Sequence, residues 1–165
     1  MASIQIRPLT PEDKSWAVDV LTRSWGSTRV VSCGKLHDAA SLPGLIAMDG
    51  EQRVGLATYR IEDQASELLT LNALQPGLGV GTQLVEAVAA EAVRAGCVRL
   101  WLVTTNDNIE ALRFYQTRGF QLVEMRCDAM DQYRELKPEI PLIGENGIPI
   151  RDEWVLERLL ENNDS

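Results

Sequence analysis

The segment Gln75-Pro76-Gly77-Leu78-Gly79-Val80-Gly81-Thr82 constrains this chain most, because three glycines fall between a strand-like run and a helix-like run. Glycine permits φ values that other residues avoid and lets a guest approach the backbone closely. The unpaired amides of the following helix then point at whatever docks. A phosphate is the natural guest, since free N–H donors and the helix dipole both favour an anion. The alternative is a tight strand-to-helix turn without a ligand, although one or two glycines usually suffice for that.

The flanking patterns are clear. Val80, Leu84, Val85, Val88, Ala92 and Val93 recur at helical spacing, and Gly96 stands where that helix would stop. Upstream, Leu45 to Met48, Val54 to Ile61 and Leu68 to Ala73 read as three strands of an antiparallel meander, with Asp49-Gly50 as a hairpin turn. Before them, Ile4 and Ile6 predict a first strand. Thr10 is a predicted N-cap with Pro11 at the first helical position, for a helix from about residue 11 to 23. Residues 24 to 42 are expected to form loops, with a short helix near Lys35 to Ala40.

Downstream, Val98 to Thr104 is nearly all apolar, as expected of a strand in the buried centre of a sheet. A short helix is predicted from Asn108 to Arg118, ended by Gly119, then a strand from Phe120 to Cys127. Residues 129 to 137 read as helical, Pro141 to Pro149 as a long loop, and Trp154 to Leu160 as a last strand. A meander followed by crossover helices predicts a mixed α/β sheet with helices on both faces.

Composition narrows the function. With 165 residues and 45% apolar content, one domain spanning 1–165 with a real core is expected. The apolar runs are too short to span a bilayer, and no secretory signal is read at the N-terminus, so a cytoplasmic location is the expectation. The formal charge of -8 disfavours nucleic acid. It would draw a cationic amine, or else serves solubility alone. Cys33, Cys97 and Cys127 form no Cys-x-x-Cys pair and His37 is the single histidine, so neither a disulfide framework nor a metal site is expected.

Which phosphate ligand fits the turn? A P-loop needs Gly-Lys-Ser/Thr, and no lysine stands there. The dinucleotide fingerprint needs a glycine at 82, where Thr82 stands. A small S-adenosylmethionine-dependent methyltransferase would match Gly-x-Gly-x-Gly, but such folds place an acid at the position of Gln75 and need more strand–helix units than the remaining residues hold. From Leu69 to Leu84 the chain resembles motif A of the GNAT superfamily, the acetyl-CoA-dependent N-acetyltransferases. The family pattern is Arg/Gln-x-x-Gly-x-Gly/Ala, and Gly79 and Gly81 fill its glycines. The chain departs from it at Pro76, where Arg or Gln is usual, and at Leu78, which is often basic. Trp101 to Phe120, with Asn108, Ala111, Phe114-Tyr115 and Gly119-Phe120, resembles motif B at the right distance from motif A.

The resemblance implies a GNAT-like α/β fold: a mixed, mostly antiparallel central sheet of about seven strands with helices on both faces. It implies acetyl-CoA as cosubstrate and direct transfer of the acetyl group to a primary amine of a small molecule or peptide. It assigns the pyrophosphate to the amides of Leu78, Gly79, Gly81 and Thr82, and the pantetheine arm to the backbone of Leu71 and Ala73 and the amide side chain of Asn108. The strands before and after the glycine helix should splay to admit that arm. Tyr115 is implied as the general acid that protonates the departing thiolate, and Glu67 stands near the position of a glutamate base in some relatives. His37, Asp38 and Trp25 lie in the segment that usually shapes the acceptor pocket. The Pro-rich arm from Leu136 to Glu153 packs either on the acceptor site or on a second copy in a homodimer, or is a plain surface loop. A non-catalytic acyl-CoA-binding module is the other reading. Without a basic side chain at the turn, donor affinity should respond less to salt than in relatives with an arginine there.

Overall fold

A computed structural model of the chain describes residues 3–161. In order, the elements are β1 (Ile4–Pro8), α1 (Lys14–Trp25), β2 (Arg29–Ser32), β3 (Lys35–Asp38), β4 (Gly44–Asp49), β5 (Gln52–Glu62), β6 (Ala65–Ala73), α2 (Val80–Arg94), β7 (Arg99–Thr105), α3 (Ile109–Gln116), β8 (Gln121–Arg126), α4 (Ala129–Leu136) and β9 (Glu153–Leu159). Seven strands form one sheet in the order β1-β4-β5-β6-β7-β9-β8, and β2 and β3 form a separate hairpin. Every neighbouring pair in the large sheet is antiparallel except β6 and β7. This is the mixed, mostly antiparallel sheet that the element order and the resemblance imply. No helix of the described residues is long and apolar enough to cross a membrane.

Helical periodicity places α2. Val80, Leu84, Val85, Val88 and Ala92 recur on one face and all are buried, the first four in one cluster with Leu45, Ala47, Val54, Ala57 and Leu100 of the sheet. Each large aliphatic side chain so buried contributes about 1.5–3 kcal/mol. The helix stops at Gly96 for a geometric reason. Gly96 adopts φ +81, its N–H reaches the Val93 carbonyl at 3.0 Å, and the Cys97 N–H reaches Ala92 at 2.9 Å. That pair of bonds is a Schellman end, which needs a left-handed residue. The opposite face of the sheet carries a second cluster built on Ala17, Val20 and Leu21 of α1 with Val30, Ile46 and Leu56.

The start of α1 is tied by charge. The Thr10 N–H and hydroxyl both donate to Asp13, at 2.8 and 2.9 Å. Arg7 and Arg53 donate to the same carboxylate at 2.7 and 3.0 Å. Regular helix begins only at Lys14, because Pro11–Asp13 forms a 3-10 turn.

Residues 24 to 42 depart from expectation. The expected short helix near Lys35 to Ala40 is instead the second strand of a hairpin, followed by a 3-10 turn at Ala39–Ser41. Ser32 pairs with Lys35, so Cys33-Gly34 is a two-residue loop, with φ +52 and +79. Two consecutive positive φ values define the type I′ turn that suits hairpin twist. Cys-Gly is not a usual pair for it, and the sequence signal was correspondingly weak.

A smaller irregularity has a larger effect. In the β5–β6 ladder Thr58 pairs with Thr70 but Tyr59 pairs with Leu68, so Leu69 is an extra residue on β6. Such a bulge bends its strand and increases the local twist. Beyond it, β6 leaves its other neighbour: β6 and β7 pair only at Ala65–Arg99, Ser66–Leu100 and Glu67–Trp101. From Leu68 to Ala73 and from Leu102 to Thr105 the two strands diverge, a wedge open toward the glycine turn.

Candidate functional site

The glycines of the turn do different work. Gly77 and Gly79 adopt φ +83 and +71, and a Cβ added to either would meet nothing within 4 Å. They are glycine for conformation. Gly81 is helical, and its Cβ would lie 3.2 Å from Cζ of Phe114, so it is glycine for room. Gln83 makes the first α-helical bond, to the Gly79 carbonyl at 3.1 Å. The N–H groups of Val80, Gly81 and Thr82 therefore precede the helical ladder and lie free at the positive end of the dipole. The chemistry that arrangement favours is anion binding.

A cation absent from the turn itself arrives from elsewhere. Arg118, just past α3, donates from Nε to the Thr82 hydroxyl at 2.8 Å and from Nη1 to the Phe114 carbonyl at 2.8 Å. Its guanidinium lies 3.7 Å from the centroid of the Phe114 ring. That stack holds Phe114 over Gly81 and sets a positive charge beside the first turn of α2.

The wedge between β6 and β7 opens beside this turn. Leu71 and Ala73 lie on the part of β6 that has no pairing with β7. Asn108 caps α3, its Oδ1 accepting from the Ala111 N–H at 3.3 Å, and it also lines a cavity. Tyr115 stands two turns further along the same helix. It is buried between Phe114 and Phe120, with ring centroids 5.1 and 5.4 Å away in edge-to-face contact. No described residue hydrogen-bonds its hydroxyl. Burial pushes the phenol well above its ordinary value, so it stays protonated through neutral pH.

The cavity, of about 380 Å³, lies on the α1 side of the sheet. Its walls include Trp25 at the end of α1, Val30 of β2, Leu69 at the bulge, and Met130 and Tyr133 of α4. Thr104, Thr105 and Asn108 join it to the wide end of the wedge. The Pro-rich arm docks on its own chain: Arg134 of α4 donates to the carbonyls of Pro141 and Ile150 at 2.8 and 2.7 Å, and Asn146 donates to the Asp107 carbonyl at 3.0 Å. Ile140, Pro141 and Ile150 of that arm line the cavity. Trp25 is 40% exposed and is cavity wall rather than core.

The expected acceptor-side residues separate. Glu67 is 1% exposed and sits in an ion pair with Arg60 at 2.7 Å, with the Ser32 hydroxyl donating to its other oxygen. It lines a different depression, with Arg60, Arg99 and Trp101, and not this cavity. Asp38 caps the 3-10 turn by accepting from the Ala40 N–H at 3.1 Å. His37 sits across from Val30 in the hairpin, and burial together with Arg60 lowers its affinity for a proton.

The carboxylate that does line the cavity is Glu153. It is buried and accepts from Arg126 at 2.6 Å, from the Tyr133 hydroxyl at 2.8 Å and from the Cys33 N–H at 3.1 Å. Lys137 is the cavity's buried cation. Sequence reading singled out neither, nor Arg118. The one available signal was Met130, Tyr133 and Lys137 at i, i+3 and i+7, which marks one helix face.

Comparison with known proteins bears on the family and the fold. The model of the acetyltransferase (GNAT) family matches residues 14–120. A Bacillus subtilis (strain 168) relative, the uncharacterized protein YxbD, is 41% identical over 141 residues, which cover 84% of this chain and 88% of that one. Among solved structures, an IAA acetyltransferase from Bacillus cereus ATCC 14579 superposes with a TM-score of 0.70 at 20% identity, covering 96% of this chain and 100% of its own. A GNAT family acetyltransferase from Elizabethkingia anophelis with acetyl-CoA bound gives 0.69 at 21% identity, covering 96% and 99%.

Proposed function

The chain belongs to the GNAT family of acetyltransferases, and on that premise we propose that it transfers the acetyl group of acetyl-CoA directly to a primary amine, with residues 1–165 acting as one catalytic domain. The observation that carries this reading is the wedge: the bulge at Leu69 ends the β6–β7 ladder at Glu67–Trp101, beside the free amides of α2 and in line with a cavity. A thioester lying along Leu71 and Ala73 would present its carbonyl carbon toward Thr105 and Asn108, where the cavity begins.

In this reading the pyrophosphate sits on the amides of the turn, from Leu78 to Thr82, and Arg118 supplies the charge that Pro76 and Leu78 do not. The neutral amine attacks the thioester carbonyl, the C–S bond breaks, and the amine proton is lost to the cavity. Proton removal runs through solvent toward Glu153, the carboxylate of the cavity wall. Glu67, held by Arg60 and Ser32, orients the β2–β3 hairpin that forms one wall. Tyr115 is the general acid. A phenol is ordinarily a weaker acid than a thiol, about 10 against 8.5, and burial weakens this one further. Its contribution is therefore a hydrogen bond to sulfur that strengthens as the bond breaks, with the proton following and the phenol taking back, through solvent, the proton that the amine released.

The decisive experiment is release of CoA thiol from acetyl-CoA by purified protein across amino acids, polyamines, aminoglycosides and peptide N-termini. Transfer to a member of that panel is expected. Binding of CoA without transfer to any amine would identify a non-catalytic acyl-CoA-binding module instead.

Arg118 gives a second expected result. Arg118→Ala should raise the KM for acetyl-CoA roughly 10-fold, the size of one hydrogen bond to a charged group. The salt dependence of that KM should be appreciable in the native protein and shrink in the variant. Equal salt dependence in both would separate Arg118 from the donor.

A further inference from the structure

The cavity holds a buried cation that forms no ion pair with a described acid. Lys137 is 7% exposed, although lysine is almost never buried without a partner. Its ammonium donates to two backbone carbonyls, of Trp25 and of Arg29, each at 2.7 Å. The first belongs to the last residue of α1, where the helix dipole supplies a fraction of a negative charge. Those are its only hydrogen-bond acceptors among the described residues, and an ammonium has three donors. Every ion pair among the described residues uses an arginine. Glu139 lies at the exposed rim of the cavity and acts on Lys137 only through space.

The other buried charge of the cavity is already matched. Glu153 is neutralised by Arg126 and held by Tyr133. One pole of the cavity is thus paired with an opposite charge, and the other is an ammonium held only by backbone carbonyls, at the end where α1, β2 and α4 meet. An unmatched buried charge is costly. The protein as a whole carries a net charge of -8, so this local positive site runs against its general field. We propose that the acceptor carries a carboxylate besides its reactive amine, and that Lys137 binds that carboxylate.

Placement along α4 orders the two ends. Tyr133 reaches Glu153 near the mouth of the wedge, and Lys137 follows one helical turn later, about 6 Å along the axis. The amine is held toward Thr105 and Glu153, where the thioester enters. The carboxylate is held at Lys137, and an apolar stem crosses Trp25, Leu69 and Met130. An amino acid whose amine lies at the far end of its side chain, or a short peptide with a free carboxylate, has this chemistry, and about 380 Å³ suits a ligand of that size.

This inference rests on the acetyltransferase reading, and matched ligand pairs separate the two. Wild-type protein is assayed with glycylphenylalanine against glycylphenylalaninamide, and with 6-aminohexanoate against 6-aminohexanamide, each rate corrected for the fraction of neutral amine. In at least one pair the carboxylate form should have a kcat/KM about 10-fold or more above its amide, expressed in KM. Lys137→Met should bring that ratio near one, and Lys137→Arg should restore part of it. Amides that equal or exceed their acids in both pairs overturn the proposal. So does a ratio unchanged in Lys137→Met, which would leave Lys137 as a tie between α1 and β2. If no amine is acetylated, the catalytic reading fails, and thermal shifts with the same pairs in the presence of CoA still decide. Greater stabilisation by the acids supports carboxylate binding, and equal stabilisation rejects it. The wild-type comparisons hold even if the Lys137 variants do not fold.

Discussion

Tyr115→Phe is expected to lower kcat about 100-fold while leaving the KM for acetyl-CoA and the melting temperature close to the parent values. Three observations make this variant a clean probe. The ring packs edge-to-face on Phe114 and Phe120, contacts that phenylalanine keeps. No described residue hydrogen-bonds the hydroxyl, so its removal orphans no partner. Burial holds the phenol protonated, so its loss does not change the charge of the site at neutral pH. The pH profile carries a further test. Since the phenol's pKa is raised, the group is a competent donor throughout the neutral range and becomes ionised only at strongly alkaline pH. Activity should therefore rise with pH as the amine loses its proton, with no descending limb from Tyr115 near its ordinary value of about 10. Steady-state kinetics of both proteins against pH would check this. A variant with unchanged kcat would remove Tyr115 from the mechanism and leave the donor site intact.

The largest effect on stability is expected from Asp13→Ala. The carboxylate is 1% exposed and accepts from Arg7, Arg53 and Thr10 together. Removing one partner of a buried ionic cluster costs about 3–5 kcal/mol. The lower end applies here, because Arg7 and Arg53 are about a third exposed and regain water. Chemical denaturation should then show a loss of about 3 kcal/mol, and the melting temperature should fall by roughly 10 °C. The same cluster predicts acid sensitivity. The Arg7 hydrogen bonds hold the Asp13 carboxyl well below the usual carboxylate range, against the opposing effect of burial. A depressed folded-state pKa contributes stability above the unfolded value of about 3.9, and that stability is lost progressively as pH falls below it. Between pH 6 and pH 3 the parent should lose more stability than Asp13→Ala. Parallel losses in the two proteins would show that the cluster does not set the acid limit.

Local physics explains why much of the fold could be read from the chain. The face of α2, the stop at Gly96 and the apolar run of β7 follow from periodicity and from the φ that a turn requires, both written in consecutive residues. The meander was legible for the same reason, although β6 begins at Ala65, earlier than the expected Leu68, because Asp63-Gln64 forms its two-residue loop with φ +51 and +63. The hairpin of residues 29–38 was hidden because its turn uses Cys33 at a positive φ, a position more often taken by asparagine, aspartate or glycine. The bulge at Leu69 leaves no sequence trace. Leu68 and Leu69 look like adjacent strand residues whether or not one of them is extra.

Consecutive residues were enough to mark the part of the candidate site around the glycine turn. The glycine turn, the start of α2, Asn108 and Tyr115 lie within short segments whose spacing is fixed by local geometry. Folding alone assembled the cavity. The cavity joins Trp25, Leu69, Tyr133, Lys137 and Glu153, and Lys137 meets the Trp25 carbonyl across 112 residues of chain. Folding likewise moved the missing cation of the turn to Arg118, which reaches Thr82 from 36 residues away. Charges brought together by folding have no period and no fixed spacing. Their pairing is set by which elements pack, and β9 slipping between β7 and β8 is what delivers Glu153 to the cavity wall.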